Sequence, residues 1–104
     1  MSSSLDLFIY KEIPTGFKAT SVTINAYHKL TGDSTVYTVY EGYLDDTNSV
    51  SKGTSTKTSV IGNHSETIDI TDFNSTDDNM LVIRINNSAI TYRTYGGYIT
   101  IAAI

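Results

Sequence analysis

Apolar and polar residues alternate with a period of two along much of the chain, the signature of half-buried strands. Leu5, Leu7 and Ile9 alternate with Asp6, Phe8 and Tyr10, which predicts a first strand over Leu5–Ile13. Pro14-Thr15-Gly16 ends it, because proline cannot donate to a ladder and glycine tolerates the turn. A second strand runs from about Lys18 to Leu30, with Val22, Ile24 and Ala26 on one face and Ser21, Thr23 and Asn25 on the other. Thr31-Gly32-Asp33-Ser34 reads as a hairpin loop before a third strand, Thr35–Leu44. Both faces of that strand are bulky: Val36, Tyr40 and Leu44 on one, Tyr37, Val39 and Tyr43 on the other. A strand of a small sandwich normally leaves one face to water, so the second face is expected to meet an overhanging loop or another subunit.

The middle of the chain is polar. Asp45–Lys57, rich in Ser and Thr and punctuated by Gly53, reads as a loop with at most a weak edge strand near Val50. A short strand at Thr58–Ile61 is expected to turn through Gly62-Asn63-His64 into Glu66–Ile70, where Ile68 and Ile70 alternate with Thr67 and Asp69. Thr71–Asn79 reads as a polar loop anchored by Phe73. Met80–Ile85 is the most apolar strand, as expected at the middle of a sheet, and Asn86-Asn87-Ser88 turns it back. Ile90–Tyr95 and Tyr98–Ile104 are joined by Gly96-Gly97, a hairpin signal because both residues can take positive φ. The expectation is an all-β fold: a single β-sandwich or jelly-roll-like domain over residues 1–104, with about eight short antiparallel strands.

Composition agrees with strands. The chain of 104 residues holds 16 Thr and 8 Tyr, types that suit a pleated surface, and few helix formers. With no Cys, a disulfide framework, a thiolate metal site and a cysteine nucleophile all drop out. Seven basic against eleven acidic residues give a net charge of −4, and the basic residues are scattered rather than clustered. That argues against nucleic acid, whose binders carry a basic excess or stripe. No apolar run approaches the roughly 20 residues needed to span a bilayer. Met1-Ser2-Ser3-Ser4 lacks a basic leader, so no export signal and no membrane partner are expected.

Candidate chemistry is sparse. His28 and His64 are the only histidines, and neither lies in a recognisable catalytic or metal motif, so both read as structural or solvent-facing. Asp72, Asp77, Asp78 and Asn79 could offer oxygen ligands to calcium, but their spacing is not that of an EF-hand, and turn-forming is the simpler role. Asn63-His64-Ser65, Asn74-Ser75-Thr76 and Asn86-Asn87-Ser88 match the glycosylation pattern in a chain where such matches arise by chance. No catalytic residue, metal or cofactor is expected. The tyrosines say more: Tyr37, Tyr40 and Tyr43 crowd one strand, and Tyr92, Tyr95 and Tyr98 crowd the expected final hairpin. Aromatic side chains stack on sugars and anchor interfaces, although cross-strand packing also favours them. Ile99–Ile104 is an apolar strand without a charge, the kind of edge that a neighbour covers.

Several short segments resemble small β-modules in virion proteins of tailed bacteriophages. They are Ile13–Thr20, Val39-Tyr40-Glu41-Gly42, Ser51-Lys52-Gly53-Thr54, Ile68–Asp72 and Tyr95–Ile101. The resemblance implies a capsid decoration or cement protein, or a fibre or spike module, commonly trimeric. It implies partners in the major capsid protein or other virion proteins, and a place in the virion after synthesis in the host cytoplasm. The family offers no catalytic residues to carry over. The expected subunit or ligand contacts are Tyr37, Val39, Tyr40, Tyr43, Tyr92, Ile101 and Ile104, in a homotrimer. The alternative is a carbohydrate- or receptor-binding module of a tail fibre, with a glycan on the tyrosines.

Overall fold

The inward-facing positions of the alternating segments meet in one layer. The computed structural model describes residues 5–28, 32, 34–43, 46–58, 60–87 and 93–104, and every regular element among them is a strand. These are β1 (Leu5–Lys11), β2 (Phe17–His28), β3 (Ser34–Tyr43), β4 (Asp46–Thr58), β5 (Gly62–Asn74), β6 (Asn79–Asn87) and β7 (Arg93–Ala103). One antiparallel sheet has the order β1-β6-β3-β4 and the other β5-β2-β7. The fold is the expected all-β sandwich, with seven strands among the described residues where about eight were expected. The break at Pro14-Thr15-Gly16 is a tight turn: the Phe17 amide donates to the Pro14 carbonyl at 3.1 Å, and Gly16 takes a φ of +93°.

The interior is built from Tyr37, Val39, Leu81, Ile83 and Ile85 of the larger sheet against Ala19, Val22, Ile24, Ala26, Ile68, Ile70 and Phe73 of the smaller. Ile13 from the β1–β2 connection joins them, and Leu7, Ile9 and Ile99 pack at the margin. The pattern along β6 alternates without a break between buried and half-buried positions from Asn79 to Asn87, as its central place in the sheet requires. On β2 and β5 the alternation is reset. The register jumps between Ala19 and Ser21, opposite Phe73 and Asp69, so Ala19 and Val22 both point inward, as do Ile70 and Phe73. Three residues of β5, Ile70–Asp72, stand opposite the single Thr20 of β2, and such extra residues bend the strand that carries them.

Three expectations are corrected. The segment expected as a loop is a strand from Asp46 on, Asp45 lying outside the described residues: it supplies most of β4, an edge strand paired with β3 from Ser34↔Thr58 to Tyr43↔Asp46. Its side chains gave no apolar alternation because backbone pairing and polar contacts hold it. Ser55 donates to Glu66 at 2.6 Å, Thr54 to the Tyr37 carbonyl at 3.0 Å, and Lys52 pairs with Glu41 at 3.2 Å. Gly62-Asn63-His64 and Thr71–Asn74 likewise belong to the long strand β5. Gly96-Gly97 is not a hairpin but lies inside β7, where β7 passes β2 at a register shift between Asn25 and Ala26. The positive φ values, +123° and +155°, serve a bulge rather than a reversal.

Two glycines set how closely the sheets and strands approach. A Cβ on Gly53 would lie 2.6 Å from the Asp69 carbonyl oxygen, so β4 crosses close over β5 and closes one flank of the sandwich. A Cβ on Gly97 would lie 1.9 Å from the Thr23 carbonyl oxygen. Gly97→Ala is therefore expected to destabilise the fold by about 3 kcal/mol or more, since the obstacle is backbone that cannot rotate away. Gly16→Ala, with open space around its Cβ and only positive φ against it, should cost about 1 kcal/mol. Urea midpoints of the two variants test this ordering.

Candidate interaction surface

The expected contact residues separate into four groups. Tyr37 and Val39 are fully buried in the core, so neither can touch a partner of the folded domain. Thr35, Tyr37 and Val39 share the inward face of β3, and the bulk that looked like a second contact face is the interior of the sandwich. Tyr40, on the opposite face, is half-buried on the outside of the larger sheet. Ile101 and Ile104 are exposed, at 42% and 68%. The backbone of Tyr43 ends β3 opposite Asn79 and Asp46, while its side chain lies outside the description; Tyr92 and Leu44 lie outside the described residues altogether.

Further exposed apolar residues are Phe17 and Tyr27 on β2, Val50 on β4, Val60 and Ile61 before β5, and a group on β1 and β7. β1 and β7 are the edge strands on the flank opposite Gly53. Tyr95 and Tyr98 on β7 are each more than half exposed, as is Tyr10 on β1, with Phe8 close behind. Among the described residues no strand pairs with the outer edge of either. Beside Gly96 and Gly97 a groove of about 510 Å3 opens between the two edges, lined by Val22, Ile24, Ile83, Ile9 and Ile99. From Thr94 to Ile104 this flank carries no charged side chain. A signal for it did exist: Phe8 and Tyr10 stood opposite Leu7 and Ile9 in the alternation, and so had to face outward.

The outer face of the larger sheet carries a second surface. Tyr10, Val82 and Tyr40 form one cross-strand row, and Phe8, Arg84 and Thr38 the next. Arg84 donates to both carboxylate oxygens of Asp6, at 2.9 and 3.0 Å, and its guanidinium lies 5.8 Å from the centre of the Phe8 ring. The hydrogen bond from Arg84 holds the Asp6 carboxyl below its ordinary range, and Asp6 with Tyr40 raises Arg84 in turn. Both side chains are exposed, so this pair orders the surface more than it stabilises the fold.

The acidic loop weighed for calcium is organised as a turn. Asp72 pairs with Lys18 at 2.8 Å, on β5 and β2. The Asn79 amide donates to Glu41 and to the Asn74 carbonyl, and its oxygen accepts from the Thr76 amide, each at 2.9 Å. Thr76 donates to Asp78 at 2.8 Å. Among the described residues no three His, Cys, Asp or Glu side chains gather into a metal-binding group.

His28 and His64 come together, which their separation in the chain concealed. His28 is buried at the end of β2 and stacks on His64 of β5, with ring centres 4.3 Å apart and Nε2 atoms 3.3 Å apart. The Tyr37 hydroxyl lies 3.3 Å from the same His64 nitrogen. No family model matches this sequence, and neither a curated protein nor a solved structure matches it.

The division of the β3 tyrosines is testable. Tyr37→Ala is expected to cost about 3–5 kcal/mol, as for other large aromatic truncations in a core. Tyr40→Ala, on the outer face, should cost about 1 kcal/mol or less. Guanidinium unfolding of both variants measures the difference, and equal costs would contradict the assignment of faces.

Proposed function

We propose that the chain is a non-catalytic structural module that works by assembling with copies of itself and with a larger partner. The observation that carries this reading is β7: eleven residues long, without a described partner on its outer edge, uncharged beyond Arg93 and exposing Tyr95, Tyr98 and Ile101. A monomer normally blunts such an edge with charge, proline or a covering loop. The resemblance in the sequence makes the finer reading a tailed-phage virion protein, of the capsid decoration or cement kind, that binds the major capsid protein and stabilises the shell. A cysteine-free sandwich with an apolar edge suits a part repeated over a symmetric lattice.

Within this reading the chain is a homotrimer whose subunit contact uses Tyr95, Tyr98, Ile101 and Ile104, with Tyr37 and Val39 serving the core instead. Burying each such side chain contributes about 1.5–3 kcal/mol, enough in sum to offset a large part of the cost of association. A second reading has a specific observation behind it: Tyr10 and Tyr40 flank Val82 beside Phe8 and the Asp6–Arg84 pair, rings and planar polar groups together, as a sugar platform requires.

Sedimentation at micromolar concentration is expected to show a trimer, and Ile101→Asp to shift it towards monomer while far-ultraviolet circular dichroism keeps its strand signal. A monomeric parent would remove the self-assembly reading. Purified particles should contain the protein in many copies if it decorates a shell. Glycan-array binding lost in Tyr10→Ala and Tyr40→Ala would favour the carbohydrate reading.

A further inference from the structure

We infer that the open flank between β1 and β7 binds an unesterified fatty acid, with its alkyl chain in the groove and its carboxylate on Lys11. The groove, of about 510 Å3, has the size of a small-ligand site, and its lining is mostly aliphatic: Ile9, Val22, Ile24, Ile83 and Ile99. An alkyl chain laid there takes its own apolar surface and that of the groove out of water. Two of the polar side chains in the lining are already engaged. Thr94 donates to the Asn25 carbonyl at 3.1 Å, and Thr23 shares a hydrogen bond with Thr67 at 2.9 Å. The polar side chains left for a ligand are those of Lys11 and Tyr98.

Charge selects the occupant. Lys11 follows Leu7 and Ile9 at the same parity, so the inward row of β1 ends on an ammonium instead of an alkyl group. The residue lines the groove and is exposed, as a long basic side chain is when its stem lies on apolar surface and its head reaches water. Lys18 has Asp72 as a partner, Lys52 has Glu41 and Arg84 has Asp6. Among the described residues Lys11 has no such carboxylate, and no Asp or Glu lines the groove.

A second copy of the chain is a poor occupant. An added strand would bury the ammonium, and an inward-pointing charge is one of the devices by which edge strands turn pairing away. β7 holds no Asp or Glu to offer in return, and the one carboxylate of β1, Asp6, is held by Arg84 on the outer face. The carboxylate must therefore arrive with the ligand. A single ammonium beside aliphatic side chains matches a molecule with one anionic end and an apolar remainder. The site shares only Tyr98 with the subunit contact proposed above and does not depend on that contact.

Isothermal titration of the whole chain with octanoate, decanoate and dodecanoate, below the concentrations at which they form micelles, tests the site. One molecule per chain is expected, with affinity rising up to about fourfold for each added methylene. Decanol, which has the chain without the charge, should bind about tenfold more weakly than decanoate. Lys11→Gln should abolish that difference, weakening decanoate about tenfold and leaving decanol unchanged. Lys11 is exposed on an edge strand, so this variant keeps the fold, which circular dichroism verifies. The methyl resonances of Ile9, Ile83 and Ile99 should shift on saturation. Absence of saturable binding, equal affinity for acid and alcohol, or decanoate binding indifferent to Lys11→Gln overturns the inference. So does binding seen only in the Ile101→Asp variant, which would make a second copy the occupant of the groove.

Discussion

Two sheets of four and three strands share one interior about 10 Å deep, and each strand reaches it with every second side chain. The rest of the molecule answers to that constraint. Val39, Ile83 and Ile85 meet Val22, Ile24 and Ile68 only because each strand keeps its parity towards the layer. Where strict alternation would have turned Ala19 or Phe73 outward, a paired irregularity on β2 and β5 restores them to it. A one-residue slip in either strand would expose an entire apolar row, so the bulge is part of the packing.

The two flanks of the sandwich follow from two glycines used in opposite ways. At Gly53 the missing side chain lets β4 cross against the Asp69–Ile70 backbone, and the interior is sealed there by polar partners such as Ser55 and Glu66. At Gly97 the missing side chain lets β7 press on the Thr23–Ile24 backbone, and beside this contact the interior ends in an open apolar groove. Along this open flank Phe8 and Tyr10 of β1 and Tyr95, Tyr98 and Ile101 of β7 are exposed. At one end of the same layer the inward row of β2 finishes on a histidine, His28, rather than an aliphatic side chain.

Legibility in the chain tracked how far burial, rather than backbone pairing, makes a strand. β1, β2 and β6 bury alternate apolar residues and were readable from Leu7 and Ile9, from Val22, Ile24 and Ala26, and from Leu81, Ile83 and Ile85. β4 buries almost nothing apolar: its ladder to β3 and contacts such as Thr54 to the Tyr37 carbonyl hold it, and those leave no periodic mark. Gly96-Gly97 misled because positive φ serves a bulge as readily as a turn, and only the nearness of Thr23 decides between them.

By itself, the alternation of apolar residues, with the scarcity of helix formers and the absence of cysteine, determined an all-β sandwich without disulfides or thiolate sites, and placed Ile101 and Ile104 on an apolar edge. It also determined that Tyr37 and Tyr40 face opposite ways, because three residues along a strand reverse the side. Which of those sides became the interior was decided by tertiary structure: parity is relative, and only the second sheet defines an inside. The same holds for His28 and His64. Their chain separation carries no distance, and the antiparallel register that sets Ala26 opposite His64 and His28 opposite Gly62 brings the two rings into contact.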